Sequence, residues 1–189
     1  MADDRMADAE LVRRAAAGEQ SACRRLVDAH LGRSVGLAGR MLGDQAEAED
    51  VAQEAFLRLW RQAGRWRPDA RVGTWLYRVV HNLCVDRLRV RRRTVGEDSM
   101  PDLPDPRGGP MQDRHRAQVS ALVRDAIEAL PERQRTAITL VHHMETGNIE
   151  AAAIMGISVE ALESLLGRGR RTLRETLSAL RPDITGEEP

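Results

Sequence analysis

Between Arg65 and Arg93 the sequence carries nine arginines against two acids, Asp69 and Asp86, a local excess of seven positive charges. Arginines gathered at this density are the electrostatic footprint of a phosphate backbone. Trp66, Trp75 and Tyr77 precede or open the same stretch. Aromatic faces beside guanidinium groups are what holds the unstacked bases of a single strand. The same features have a plainer reading, a solvated basic face with tryptophans packed between helices. That reading suits Trp66 best, and for Trp75 the two stand level.

A second candidate lies near the end of the chain. A short helix expected over 148–155 is followed by Gly156 as a turn, Ser158 as N-cap and a longer helix from Val159 to about Leu180. Short helix, tight turn and longer helix is the layout of a DNA-binding helix-turn-helix. Arg168, Arg170, Arg171 and Arg174 stand where they can grip phosphates and set register. The first turns of that helix, which would reach base edges, offer Glu160, Glu163 and Ser164. A glutamate can accept from the cytosine amino group, yet Glu160 and Glu163 equally suit the positive end of the helix dipole.

A third candidate, the polar face Asp50, Gln53, Glu54 and Arg58, reads by itself as an ordinary solvated helix surface. Catalytic patterns are scarce. No GxxxxGK[ST] loop is present, and Gly108-Gly109 lies in a linker. His142 and His143 are adjacent and so point to different helix faces, which argues against a shared metal. No enzyme activity, cofactor or metal is expected.

These residues need helices to place them. Apolar residues recur at helical spacing almost throughout the 189-residue chain, and strand signals are nearly absent. The segment from Thr94 to Gln112 contains Pro101, Pro104, Pro106 and Pro110 and reads as a linker. The expected fold is therefore all-α, two small helical domains joined by a flexible Pro/Gly-rich linker, the C-terminal one containing the helix-turn-helix. The expected bounds are 8–93, a linker at 94–113, 114–181, and an acidic tail at 182–189. The first domain should hold helices over 8–17, 19–42 with possible breaks at its glycines, 46–62, and 72–92. The second should hold helices over 116–130, 132–144, 148–155 and 159–180.

Composition bounds the setting. All 29 basic residues are arginine and balance 29 acids. Arginine suits phosphates and guanine edges, although GC-rich codons produce the same bias. Cys23 and Cys84 stand far apart in apolar surroundings and read as reduced thiols. With no apolar leader and no long apolar run, a soluble cytoplasmic protein without membrane insertion is expected.

The order of motifs resembles a known family. The run Ala48–Trp60, AEDVAQEAFLRLW, is similar to the second region of bacterial sigma factors, and Gly73–Arg89, GTWLYRVVHNLCVDRLR, resembles that region's promoter-reading helix. Leu130–Arg135, LPERQR, and Ile157–Leu173 resemble the fourth region. Both regions in so short a chain are similar to the extracytoplasmic-function branch. The resemblance implies that Asp50, Gln53, Glu54 and Arg58 dock onto core RNA polymerase. It implies that Trp75, Tyr77, Arg78, Asn82, Asp86 and Arg89 sit at the −10 element, on flipped bases of the melted non-template strand. It places Ser158, Glu160, Glu163, Ser164, Arg168, Arg170 and Arg171 at duplex DNA of the −35 element. Glu163 and Leu165 depart from the basic residues common in that helix, so phosphate anchoring can dominate there. An anti-sigma factor is the further partner that the family implies. Two other readings remain from the residues: a stand-alone helix-turn-helix regulator, and a helical module whose arginine face meets an acidic partner.

Overall fold

The computed structural model describes residues 2–67, 71–94 and 111–179. Eight α-helices account for nearly all of them, and no strand occurs among the described residues. They are α1 (Ala2–Ala16), α2 (Gln20–Leu42), α3 (Gln45–Gln62), α4 (Val72–Thr94), α5 (Met111–Glu128), α6 (Glu132–Ile138), α7 (Asn148–Met155) and α8 (Val159–Ala179). The all-α fold agrees with the expectation from periodicity. Residues 68–70, 95–110 and 180–189, which hold most of the expected linker and the acidic tail, lie outside the described residues.

Helices α1 and α5 begin earlier than the expected 8 and 116, at Ala2 and Met111, while α3 begins and faces as its sequence dictates. Asp44 caps α3 by accepting the Glu47 amide at 2.8 Å. The helix then buries Ala48, Val51, Ala52, Ala55, Phe56 and Leu59, one stripe at i, i+3, i+4 and i+7. α2 runs unbroken through Gly32, Gly36 and Gly39, where breaks had been possible, because its faces pack on α1, α3 and α4. Tertiary packing here outweighs the entropic cost of glycine in a helix. α6 does not continue to Met144 as one α-helix: Thr139–His143 widens into a π turn. That widening re-aims the chain into the loop before α7.

α7 ends on Gly156 at φ 65° and ψ 37°, in the left-handed region. The Gly156 amide donates to Ala153 and the Ile157 amide to Ala152, which satisfies the last carbonyls of the helix and turns the chain. Ser158 then opens α8, its Oγ accepting the Ala161 amide at 3.2 Å. α8 buries Leu162, Leu165, Leu166 and Gly169. Gly169 is required by close approach: a Cβ there would lie 3.2 Å from Ile138 Cγ1 on α6.

The apolar interior is continuous across the chain, from Leu11 and Val12 through Leu76 and Val80 to Ile154 and Leu162. α4 lies between α2 and α3 on one side and α7 on the other. Polar links cross the same junction. Arg92 meets Glu132 at 2.9 Å, Arg135 donates to the Met41 carbonyl at 3.1 Å, and Thr74 donates to Glu150 at 2.5 Å.

Cys84 is fully enclosed on α4, and burial pushes its thiol up to about 12. Only the thiolate reacts, so alkylation of Cys84 at pH 8 is expected to be more than about a hundredfold slower in the folded chain than after denaturation. Peptide mass spectrometry of timed iodoacetamide reactions reads this directly, with half-exposed Cys23 as the internal reference.

Candidate polymerase and nucleic-acid interfaces

The surface of α3 opposite its buried stripe carries Asp50, Gln53 and Arg58 exposed and Glu54 half-buried. Arg58 donates to Glu54 at 2.9 Å, and Arg61 reaches the same carboxylate at 3.6 Å. The bond from Arg58, with the charge of both arginines, holds the Glu54 carboxyl below the usual carboxylate range. The face is thus acidic at its start and basic toward its end.

That basic end meets α4. Arg58, Arg61, Gln62 and Arg65 face Trp75 and Val79 across an open cleft of about 560 Å³. The Trp75 ring stands edge-on to Trp66, with centroids 5.6 Å apart and planes at 86°. Both rings are half-buried, so each packs and each keeps part of a face open. A cleft with guanidinium groups and a tryptophan suits a single strand, phosphates on the arginines and a base on the ring. Arg65 opens the basic stretch already singled out from sequence, whereas Arg61 and Gln62 were not among the residues expected from it. Their spacing from Arg58 by three and four residues was the available signal.

The residues expected along α4 divide. Arg78, Asn82, Asp86 and Arg89 are exposed, and Asp86 pairs with Arg89 at 2.6 Å. Tyr77 turns inward instead: 5% exposed, it packs edge-on against His30, and its hydroxyl lies 3.1 Å from His30 Nδ1. His30 Nε2 in turn lies 2.9 Å from Asp8, so the three residues tie α1, α2 and α4 together. In this arrangement Tyr77 offers no face to a base. The reason is its register: Gly73, Tyr77, Val80 and Cys84 share the buried stripe of α4.

His81 is also buried, on the side of α4 toward Glu132 and Arg133. Burial lowers its pKa from the ordinary 6.5, opposed by a bond to Asn82 and the charge of Glu132 and supported by Arg133 and Arg78. A histidine with a depressed folded value contributes stability that is complete above the unfolded value and lost as pH falls below it. The thermal midpoint is therefore expected to drop as pH falls from about 7 toward 5.5. Differential scanning calorimetry should find a shallower slope for His81→Gln, the residue left over coming from His143, whose value burial also lowers.

On α8, Ser158, Glu160, Glu163, Ser164, Arg168, Arg170 and Arg171 are all exposed. Ser158 is engaged in capping, and Glu160 is held low in pKa by its own amide and the Ser158 hydroxyl. Glu163 accepts from Asn148 of α7 at 3.4 Å. Leu165, which replaces a commonly basic residue, is 7% exposed and belongs to the interior, so it is not a reading position in this fold.

Among the described residues no cluster of three or more His, Cys, Asp or Glu is placed to hold a metal. No helix among them is long and apolar enough to cross a membrane.

Comparison with known proteins agrees with this geometry. Residues 26–94 match the family model described as Sigma-70 region 2, and residues 120–173 match Sigma-70, region 4. The RNA polymerase sigma-H factor of Pseudomonas aeruginosa is 30% identical over 92% of this chain and 95% of its own. The ECF RNA polymerase sigma factor SigW of Bacillus subtilis is 31% identical over 86% and 92%. Among solved structures, CnrH in complex with the cytosolic domain of CnrY superposes with a TM-score of 0.67 at 29% identity, over 92% of this chain and 98% of that one.

Proposed function

The chain belongs to the extracytoplasmic-function branch of the sigma-70 family, and on that premise we propose how its surfaces share the work of starting transcription. It is a sigma factor that binds core RNA polymerase and directs initiation to particular promoters. RNA synthesis itself belongs to the polymerase, and the chain works where its polymerase does, in the cytoplasm.

We assign core binding to Asp50, Gln53, Glu54 and Arg58 within residues 8–93. An exposed carboxylate-bearing helix face suits a basic helical partner. Trp75, Arg78, Asn82, Asp86 and Arg89 engage the melted non-template strand at the −10 element, with Trp75 compensating the lost stacking of a base, a cost of a few kcal/mol. Tyr77 acts from behind, through His30, to hold the start of α4. Within residues 114–181, α8 enters the major groove at the −35 element. Arg168, Arg170 and Arg171 anchor phosphates, and Glu163 and Ser164 are the side chains nearest the bases. Ser158 and Glu160 set the start of that helix. The linker tethers two weak readers so that each raises the effective concentration of the other. An anti-sigma factor is a further partner; the relative CnrH was solved in complex with another protein, the cytosolic domain of CnrY.

The observation that carries this reading is the order of regions 2 and 4 in one chain, with Asp50, Gln53, Arg58, Arg78 and Asn82 exposed in the first and Arg168, Arg170 and Arg171 exposed in the second. It is tested by transcription with purified core RNA polymerase on a library of promoter fragments, with and without the protein. Initiation from a discrete subset only when the protein is present is the expected result. Specific duplex binding without polymerase, and no new initiation with it, would instead mark a stand-alone helix-turn-helix regulator. Neither behaviour would mark an interaction module.

A further inference from the structure

We propose that Arg71 and Thr74, at the start of α4, form a binding site for a phosphate of the melted strand, and that the Glu150 carboxylate occupies this site when the two halves of the chain are closed. The inference rests on the reading of α4 as a strand-binding helix. Thr74 Oγ1 donates to Glu150 Oε1 at 2.5 Å, and Arg71 Nη1 lies 3.8 Å from Glu150 Oε2. The two oxygens of one carboxylate each face a donor from a helix 76 residues earlier in the chain. A carboxylate presents to such donors what a phosphate presents, a negative charge shared between acceptor oxygens.

The position along α4 names the ligand. Arg71, Thr74, Trp75 and Arg78 fall at i, i+3, i+4 and i+7 and so share one side of the helix. A strand with a base laid on Trp75 would carry its neighbouring phosphates past Arg71 and Thr74 on one side and Arg78 on the other. In the closed chain α7 lies over this path. Arg78 Nη2 is within 3.8 Å of where a Cβ on Gly156 would stand, and Glu150 fills the other end. Strand binding and closure are therefore alternatives.

The polar part of the closure is weak. The Arg71–Glu150 pair keeps side-chain exposures of 36% and 31%, and Arg92 of the Arg92–Glu132 pair keeps 72%. Pairs this open contribute little to stability. Arg135, which bridges to α2, has a buried Nε without a hydrogen-bond partner, a cost that separation would relieve. What a bound strand must outweigh is then chiefly the apolar packing of α7 on α4.

The test uses the full chain without polymerase and a fluorescent pool of random-sequence single-stranded oligonucleotides, since a phosphate contact carries no sequence information. Glu150→Ala keeps a strong helix former in α7. It is expected to bind the pool about tenfold more tightly, the scale of one charged hydrogen bond no longer competing. The slope of log affinity against log salt should steepen by about one phosphate's worth. Arg71→Ala placed on Glu150→Ala should remove the gain. Unchanged affinity in Glu150→Ala, or a gain that survives loss of Arg71, overturns the proposal. So does a larger radius of gyration by small-angle scattering without tighter binding, because Glu150 would then only staple the halves. Initiation by the unaltered chain with core polymerase is a separate measurement: success there beside failure here leaves the sigma role standing, and the reverse result separates the two equally cleanly.

Discussion

Replacing Asp50, Gln53 and Glu54 together with alanine is expected to weaken association with core RNA polymerase about a hundredfold and to abolish initiation at working concentrations, the scale of losing one or two charged partners from a desolvated interface. The fold should survive. Asp50 and Gln53 are exposed, and the stripe that holds α3 in place, Ala48 to Leu59, lies on the other side of the helix. Alanine also raises helix propensity at all three positions. Removing Glu54 has one local consequence, the release of Arg58 and Arg61 from their shared carboxylate. Those arginines line the cleft beside Trp75, so single-stranded DNA binding by the free variant should hold or rise while polymerase binding falls. Circular dichroism, a pull-down on core enzyme and oligonucleotide anisotropy give the three readings. Undiminished polymerase binding would move the docking surface away from α3.

The second large effect concerns stability. Leu162 is fully buried on α8, where the helix packs on α6 and α7. Leu162→Ala removes buried methyl groups and leaves a cavity, a change that costs about 3 kcal/mol in well-packed interiors. For a chain of this size that corresponds to a thermal midpoint lower by about 10 °C. The damage falls first on the helix-turn-helix, because Leu162, Leu165 and Leu166 are the buried leucines that seat α8. Differential scanning calorimetry of the full chain measures the shift. Promoter binding that depends on −35 contacts should weaken with it, while the polymerase pull-down through α3 should change little. A midpoint within a degree or two of the parent would mean that α8 is not seated as described.

Much of this molecule was legible in its residues. The helices over 148–155 and 72–94 begin where the chain predicts, since caps, glycine turns and apolar spacing act over a few residues and need no tertiary partner. The Gly156 turn and the Ser158 cap belong to this class. So does the exposed polar side of α3, whose buried face is set by a single clear periodicity. The identity of the two regions was legible as well, through two motifs in order.

What sequence did not reveal lies where one helix is covered from two sides. Taken alone, α4 has an apolar stripe and a polar face, and Tyr77, His81 and Thr74 sit near the boundary between them. The periodicity of one helix cannot say that a second body will lie against that boundary. In the folded chain Tyr77 closes on His30 across to α2, His81 is buried with Glu132 and Arg133 of α6 nearby, and Thr74 meets a carboxylate of α7 from far along the chain. Leu165 shows the same limit from the other side: aligned by motif it stands at a reading position, yet the packing of α8 on α6 and α7 turns it inward. Hydrogen-bonded turns and helix faces follow from interactions between neighbours in the chain, which the sequence determines by itself. Which polar residues are then covered, and by which carboxylate, depends on contacts between segments distant in the chain, and only the tertiary structure decided that.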